Sequence, residues 1–441
     1  DPETKAASAP TSITMWGVND DGAAYSGAIQ AYARQYPNVA ISYRRLRLEE
    51  YESELLNALA EDRGPDILMI HHDWANKYLT KIQAMPTSVR VAERSITGTV
   101  KKEVTWQMTD VPMISNGEFR NTFVETVGQD AIRFVNVSEN GMYPDVRERV
   151  IGVPTSIDTL ALFYNRSILN LAGIPLPPDT WDDFRNDVIK VTRRDVRDPK
   201  KLLQPGVGFG LGSNVERSTD ILTALMIQNG AQMEVDGQLA FHLTPANEAL
   251  PEPPVYGALR FYTEFADPDR DVYTWNADQP NSLEAFIQGK AAFFLGYAYQ
   301  QDLIRARAPQ INMGVSKLPQ IPGRPPKNVA NYWLWSVSRK TKNADHAWNF
   351  LNFLAQPEQQ KSISTALRRP SPRRDVLAEQ LRDDAIGVFA SQVLTSSTWY
   401  RGRDPRAMEA AFMTMIDAIA TKKATMEDAL RFALQQIGST Y

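Results

Sequence analysis

From Ser12 to Ile70 the chain alternates strand, helix, strand, helix, strand, and that alternation leaves few folds open to it. Ser12 to Trp16 is rich in strand formers, and Tyr25 to Gln35 reads as a helix stopped by Tyr36-Pro37-Asn38. Val39 to Tyr43 is a second strand. Leu48 to Glu61 then sets Tyr51, Leu55, Leu56 and Leu59 on one helical face, and Gly64-Pro65 ends it before a third strand, Ile67 to Ile70. Crossovers of that length join parallel strands, so the expectation is an open α/β sheet flanked by helices. Ligands of such sheets sit beyond the carboxyl ends of the strands, which makes the loops Gly17 to Gly22 and His71 to Trp74 the first places to look.

A chain of 441 residues exceeds one ordinary core, so two lobes are expected, each large enough to bury its own apolar interior. Hydrophobic residues at 43% and charged ones at 23% are globular values. The formal net charge is −4 with Lys and Arg scattered, which argues against the basic face that nucleic acid requires. Cysteine is absent, excluding disulfides, thiol nucleophiles and cysteine metal sites. The four histidines, including adjacent His71 and His72, lack metal-ligand spacing, because neighbours on a strand point to opposite sides. No metal and no cofactor is expected: there is no phosphate-binding Gly-x-x-x-x-Gly-Lys-Ser/Thr, no Gly-x-Gly-x-x-Gly after a strand and no Gly-x-Ser-x-Gly elbow. The longest apolar run, Ala291 to Tyr299, is too short to span a bilayer. A start at Asp1-Pro2 suggests a processed chain, and residues 1–10 read as a flexible tether.

Further along, Pro86 to Tyr143 has weak periodicity and reads as helical and loop elaboration, with Trp106 assigned to no element. Thr180 with Asp183 resembles a capping box before a helix carrying Phe184, Val188 and Val191. Ile221 to Gln228 and Val255 to Phe265 read as helices, with a hairpin turn at Val235-Asp236-Gly237-Gln238 between them. Leu283 to Lys290 is a helix feeding a strand at Ala291 to Leu295, and Gly314 to Pro319 is another strand. Asn343 is expected to cap a helix with Ala347, Trp348, Leu351 and Leu354 on one face; Asp404-Pro405 and Thr425 with Asp428 start the last helices. Arg368, Arg369, Arg373 and Arg374, interrupted by Pro370 and Pro372, read as a solvated basic loop.

One stretch stands apart. Arg149 to Arg166 reads Arg-Val-Ile-Gly-Val-Pro-Thr-Ser-Ile-Asp-Thr-Leu-Ala-Leu-Phe-Tyr-Asn-Arg, two strand pieces broken by Gly152, Pro154 and Ser156. Its carboxylate, Asp158, lies in apolar surroundings and must find hydrogen-bond donors, either as a cap on backbone amides or as an acceptor for a ligand. With Ala172-Gly173-Ile174, the prolines between Pro175 and Pro178, and Thr180-Trp181-Asp182-Asp183-Phe184, this run resembles the extracellular solute-binding proteins of family 1, the sugar-capturing subunits of bacterial ABC importers. Gly64-Pro65-Asp66-Ile67, the phrase Phe286 to Phe294, and Ala347 to Gln359 add to the likeness.

The resemblance implies a two-lobed, type II-like periplasmic-binding-protein fold, each lobe an open sheet flanked by helices, with the ligand cleft between lobes. It implies one lobe from 11–158 plus 330–378 and another from 159–329 plus 379–441. It further implies an extracytoplasmic monomer, not an enzyme, that closes by hinge motion on a sugar or oligosaccharide and delivers it to a membrane permease. A lipid anchor through a cysteine upstream of the given chain would fit that setting.

Aromatic rings to stack on sugar C–H faces and acids or amides to accept hydroxyls are the matching chemistry. Residues of those types recur at predicted strand ends: Trp16, Asn19 and Asp20; Asp73 and Trp74; Asp158; Tyr297 and Tyr299; Tyr332 and Trp333; Trp399 and Tyr400. Asp158 leads this set because the resemblance covers it without a gap. Tyr297 and Tyr299 flank Ala298, so a strand-like path would point both to one face. Trp181, Trp335 and Trp348 read as packing residues. Two alternatives stay open: a glycan hydrolase using two carboxylates such as Asp73 and Asp158, and a binding protein for a cation or peptide.

Overall fold

The computed structural model of the chain describes residues 4, 7–97, 103–138, 144–246 and 249–441. Residues 1–3, 5 and 6 of the expected tether lie outside them. The chain divides into two compact units, one of Asp1–Ile157 with Asn331–Asp383, the other of Asp158–Ala330 with Asp384–Tyr441. Asp158 thus falls in the second unit.

In the first unit the opening alternation forms a parallel core. Strands Thr11–Val18, Val39–Leu46 and Ile67–His71 pair through the helices Ala23–Gln35 and Leu48–Ala60. The sheet is completed by Trp333–Ser338 and Ile82–Gln83, giving five strands in the order Val39–Leu46, Thr11–Val18, Ile67–His71, Trp333–Ser338, Ile82–Gln83. Ile67–His71 is buried along its whole length, which is why it reads as an unbroken apolar run. Helix Leu48–Ala60 turns Tyr51, Leu55 and Leu59 inward, and the Glu50 side chain accepts the Arg47 N–H at 3.1 Å to close its first turn. Helix Ala344–Leu354 buries Ala347, Trp348, Leu351 and Leu354. Asn343 precedes it without capping it; its side-chain N–H donates to the Ser12 carbonyl at 3.3 Å.

The region from Pro86 to Tyr143 corrects the expectation of helices and loops. Ser88–Thr97 and Glu103–Pro112 form an antiparallel ribbon in which Trp106 faces Arg94, and Ile132–Asn136 pairs with Val146–Val150 in a second ribbon. Two short helices, Asn116–Thr122 and Glu125–Ala131, lie between. A two-stranded ribbon leaves much of both faces open to solvent, so it imposes little of the apolar alternation by which strands are recognised. Residues 98–102 and 139–143 of that region lie outside the described residues.

The stretch Val150 to Ile157 is held within the first unit. Val153 and Trp335 exchange backbone hydrogen bonds at 2.9 Å each, and the Ile157 N–H donates to the Pro370 carbonyl at 2.9 Å. A Cβ on Gly152 would come within 2.6 Å of Ser336 Oγ and 2.9 Å of the Trp335 carbonyl, so only glycine permits this approach.

In the second unit Ala161–Asn165 is the middle strand between Phe293–Gly296 and Met313–Lys317, antiparallel to both. Both its faces are buried. Leu160 and Leu162 enter a large core with Trp181, Phe184, Phe209, Phe265 and Phe293, whereas Ala161 and Phe163 enter a smaller one with Phe286, Phe294 and Phe389. The period of two divides one apolar run between two cores. The hairpin Glu234–Val235 to Gln238–Leu239 turns at Asp236 and Gly237, whose φ values of 52° and 74° match the two left-handed positions of a type I′ turn. Thr180 and Thr425 each accept the N–H three residues on, capping Trp181–Val191 and Met426–Gly438. A short sheet joins Ser396–Ser397, Asn328–Asn331 and Asp158–Thr159, so two of the chain's crossings between units leave from its strands. Among the described residues no helix is long and apolar enough to cross a membrane.

Candidate ligand-binding site

In the first unit an aromatic and polar group gathers where Ile67–His71 meets the start of Trp333–Ser338. His71 is paired with Trp333 in register, and their rings meet edge to face at 5.0 Å. Trp74, brought up by the turn His72–Trp74, lies 5.2 Å from Trp333 and stacks on Tyr78 at 5.6 Å. Asp73 accepts the His71 Nδ1–H, and His71 Nε2 lies 3.2 Å from Asn331 Oδ1. His72 stacks against Tyr332 at 5.2 Å, and the Tyr332 hydroxyl donates to the fully buried Asp130 carboxylate at 2.5 Å. Asp73, Trp74, Tyr332 and Trp333 therefore come together, with His71 and Asn331 as additional members.

The loop after the first strand is committed to internal contacts. Asp20 is buried, receives the Tyr25 hydroxyl at 3.1 Å and pairs with Arg369 at 2.8 Å. Arg369 is thus an ion-pair partner inside the unit, correcting its reading as part of a solvated loop. Asn19 takes a left-handed backbone, φ 57°, and its side-chain oxygen accepts the Leu48 N–H at the head of the second helix. Trp16 is half-buried, with the Arg44 guanidinium 4.6 Å above its ring.

In the second unit Asp158 is a cap. One carboxylate oxygen accepts the Thr159 and Ala298 N–H groups at 2.9 Å, the other the Tyr299 N–H at 3.1 Å. The Ala298 and Tyr299 amides stand at the N-terminus of the helix Tyr299–Arg307, where a negative charge also interacts favourably with the helix dipole. Tyr297 and Tyr299 do share one face, but by a different route than expected. The strand ends at Gly296, and the helix starts at Tyr299; across that corner the two rings stack at 5.9 Å with planes 17° apart.

The inner ring, Tyr297, is fully buried and its hydroxyl donates to Asp220 at 2.6 Å. Burial first, then the Asp220 charge, push that hydroxyl well above its ordinary pKa, so it stays a donor. The outer ring, Tyr299, is 39% exposed. Asp220 is gripped by Arg217 at 2.8 Å, and Arg217 reaches Glu409 at 3.4 Å. Arg217 holds a left-handed backbone, φ 54°, at the head of the helix Ser218–Gln228. An exposed aromatic ring backed by a second ring and rimmed by carboxylates suits a flat C–H face carrying hydroxyls.

Trp399 and Tyr400 belong to packing. Trp399 lies against Phe241 at 6.1 Å and Phe412 at 5.8 Å. Tyr400 is buried, donates to Thr440 Oγ1 at 2.7 Å and accepts the Asp404 N–H at 2.9 Å.

The sequence profile of the family described as bacterial extracellular solute-binding protein matches residues 16–361. The chain belongs to this family. A relative in Brucella abortus (strain 2308) that carries the name of a binding protein is 24% identical over 250 residues, covering 55% of this chain and 52% of the relative. The matched part thus spans about half the length of such curated relatives. Among solved structures, the GacH receptor of Streptomyces glaucescens, described in unliganded form and with acarbose, superposes with a TM-score of 0.70 at 15% identity, covering 98% of both chains. A solute-binding protein of Thermotoga lettingae bound with α-D-tagatose gives a TM-score of 0.66 at 18% identity, covering 98% of this chain and 99% of that one. The fold of this chain is that of the solute-binding proteins.

Sequence reasoning missed Arg217, Asp220 and Glu409 around the tyrosine pair, and His71 and Asn331 beside Asp73. Arg217 and Asp220 sit at the head of a helix whose apolar turns drew the reading, and Glu409 joins them from the distant helix Pro405–Ala420. The left-handed backbone of Arg217, which a glycine would have announced, leaves no mark in the residue type.

Proposed function

We propose that this member of the solute-binding family captures a saccharide outside the cytoplasm and hands it, unchanged, to the membrane permease of an ABC importer. The observation that carries this reading is Tyr299, an exposed ring stacked on buried Tyr297 at the carboxyl end of a sheet strand, with Asp220 behind it. Sugars present a C–H face to such a ring and hydroxyls to such carboxylates. That similarly folded proteins are described with acarbose and with tagatose supports the choice of ligand class. Asp73, Trp74 and Trp333 form a second set of the same chemistry in the first unit. Hinge motion about the crossings at Ile157/Asp158, Ala330/Asn331 and Asp383/Asp384 is the proposed closing step.

A thermal-shift screen against mono- and oligosaccharides, polyamines and short peptides tests the reading. Ligand bound to the folded state at about 100 times its Kd adds roughly 2.7 kcal/mol, a clear rise in Tm. The expected result is a shift with a saccharide that chromatography recovers intact. Recovery of cleaved sugar would identify a hydrolase, and a shift only with peptides or polyamines would reassign the ligand.

A further inference from the structure

Arg217 holds its left-handed backbone, φ 54°, at a cost that glycine would not meet. Such strain persists where surrounding contacts outweigh it, and here those contacts belong to the guanidinium. Its Nε–H donates to Asp220 Oδ2 at 2.8 Å, and its Nη1 meets Glu409 of the helix Pro405–Ala420 at 3.4 Å. The same Oδ2 accepts the Tyr297 hydroxyl at 2.6 Å. A line of contacts thus runs from a strained arginine to the inner ring of the stacked pair, and across a ring separation of 5.9 Å to Tyr299. The backbone at that corner is tied elsewhere: the Tyr297 N–H donates to Gln300 Oε1 at 2.8 Å and the Tyr299 N–H to Asp158 at 3.1 Å. Those ties place the two residues but do not set the tilt of their rings. Tyr297 is fully buried, so without Asp220 its hydroxyl would lack an acceptor, a cost the ring relieves by turning that hydroxyl towards water. The ring stacked on it would turn with it.

We infer that Arg217 and Asp220 are positioning residues for the sugar platform: they hold the Tyr297 hydroxyl, and through the stacked rings they fix the tilt at which Tyr299 meets a saccharide. This rests on the saccharide-binding reading of Tyr299 and adds the residues that set its ring in place. Neither residue has to touch the ligand. A ring fixed before the ligand arrives loses less freedom on binding than one the ligand must order, so the clamp acts on affinity through Tyr299 alone.

The test is a double-mutant cycle, read by isothermal titration of the full chain with the strongest neutral saccharide from screening. Tyr297→Phe removes the hydroxyl and keeps the ring. In the unaltered chain it should weaken binding by about threefold or more; in a Tyr299→Ala background it should change Kd by less than about 1.5-fold, because the ring it tilts is gone. A role confined to stability would lower Tm in both backgrounds and leave the Kd of the folded protein unmoved. Asp220→Ala should reproduce the loss, and Asp220→Asn, which keeps an oxygen to accept the hydroxyl, should recover part of it. Arg217→Gly eases the left-handed backbone while deleting the guanidinium, so binding should weaken although local strain falls. Tyr297→Phe, smaller by one oxygen, keeps the cycle usable where an Asp220 or Arg217 variant fails to fold. An unchanged Kd in Tyr297→Phe, an equal loss in both backgrounds, or unweakened binding by Arg217→Gly overturns the inference while leaving saccharide binding on Tyr299 intact. If no saccharide binds, or Tyr299→Ala binds as the unaltered chain does, the saccharide reading of the site falls and the inference with it.

Discussion

Tyr299 and Trp399 are both aromatic residues at element ends, yet their surroundings set them apart. Tyr299 keeps 39% of its surface open, so Tyr299→Ala should weaken saccharide binding by about tenfold, roughly 1–2 kcal/mol, with little change in Tm. Trp399 packs against Phe241 and Phe412, so Trp399→Ala should lower unfolding stability by about 3 kcal/mol in a urea titration while the folded fraction binds as before. Tyr332 lies between these cases. Its hydroxyl is a donor to Asp130, whose next cation, Arg133, stands 3.8 Å away. Tyr332→Phe should cost about 1–3 kcal/mol by the same titration, the penalty of a buried carboxylate losing a donor. Residue type made all of these aromatics candidates; only burial and hydrogen-bond partners, which depend on distant parts of the chain, separate the proposed platform from packing.

At the level of elements, the helix Tyr299–Arg307 owes its position to Asp158. Asp158→Asn should cost about 1 kcal/mol and speed hydrogen exchange of the Ala298 and Tyr299 amides. The helix Ala344–Leu354 carries a pH dependence. Burial lowers the pKa of His346, with neighbouring Asp345 opposing. The unfolded chain, with histidine near its ordinary value, then binds more protons than the folded one. Stability is full above about pH 6.5 and falls as pH drops through the depressed folded value. His346→Gln should flatten that acid limb in denaturant titrations run from neutral pH downward. Elements whose faces are buried were legible in the sequence: Leu48–Ala60 by its apolar period, Trp181–Val191 and Met426–Gly438 by their threonine caps. The ribbon Ser88–Thr97 with Glu103–Pro112 was not, because of its described residues only Val89, Val91 and Ala92 near its start are buried and the exposed remainder leaves too short a pattern to read.

For the whole molecule, the ordered phrases from Gly64 to Gln359 carried the family and, through it, the fold, since close-packed segments such as Gly152-Val153-Pro154, just before a crossing, tolerate few alternatives. The candidate ligand site was legible only in part. Tyr297 and Tyr299 stood out as an aromatic pair, but the corner that stacks them and the Arg217–Asp220–Glu409 clamp behind them arise from tertiary contact between separate helices. The central claim is that the protein binds an intact saccharide on Tyr299. Isothermal titration of the unaltered chain and of Tyr299→Ala with the strongest saccharide from screening tests it most directly. Stoichiometric binding that weakens by about tenfold in Tyr299→Ala is the predicted result. Binding that Tyr299→Ala leaves unchanged would contradict it.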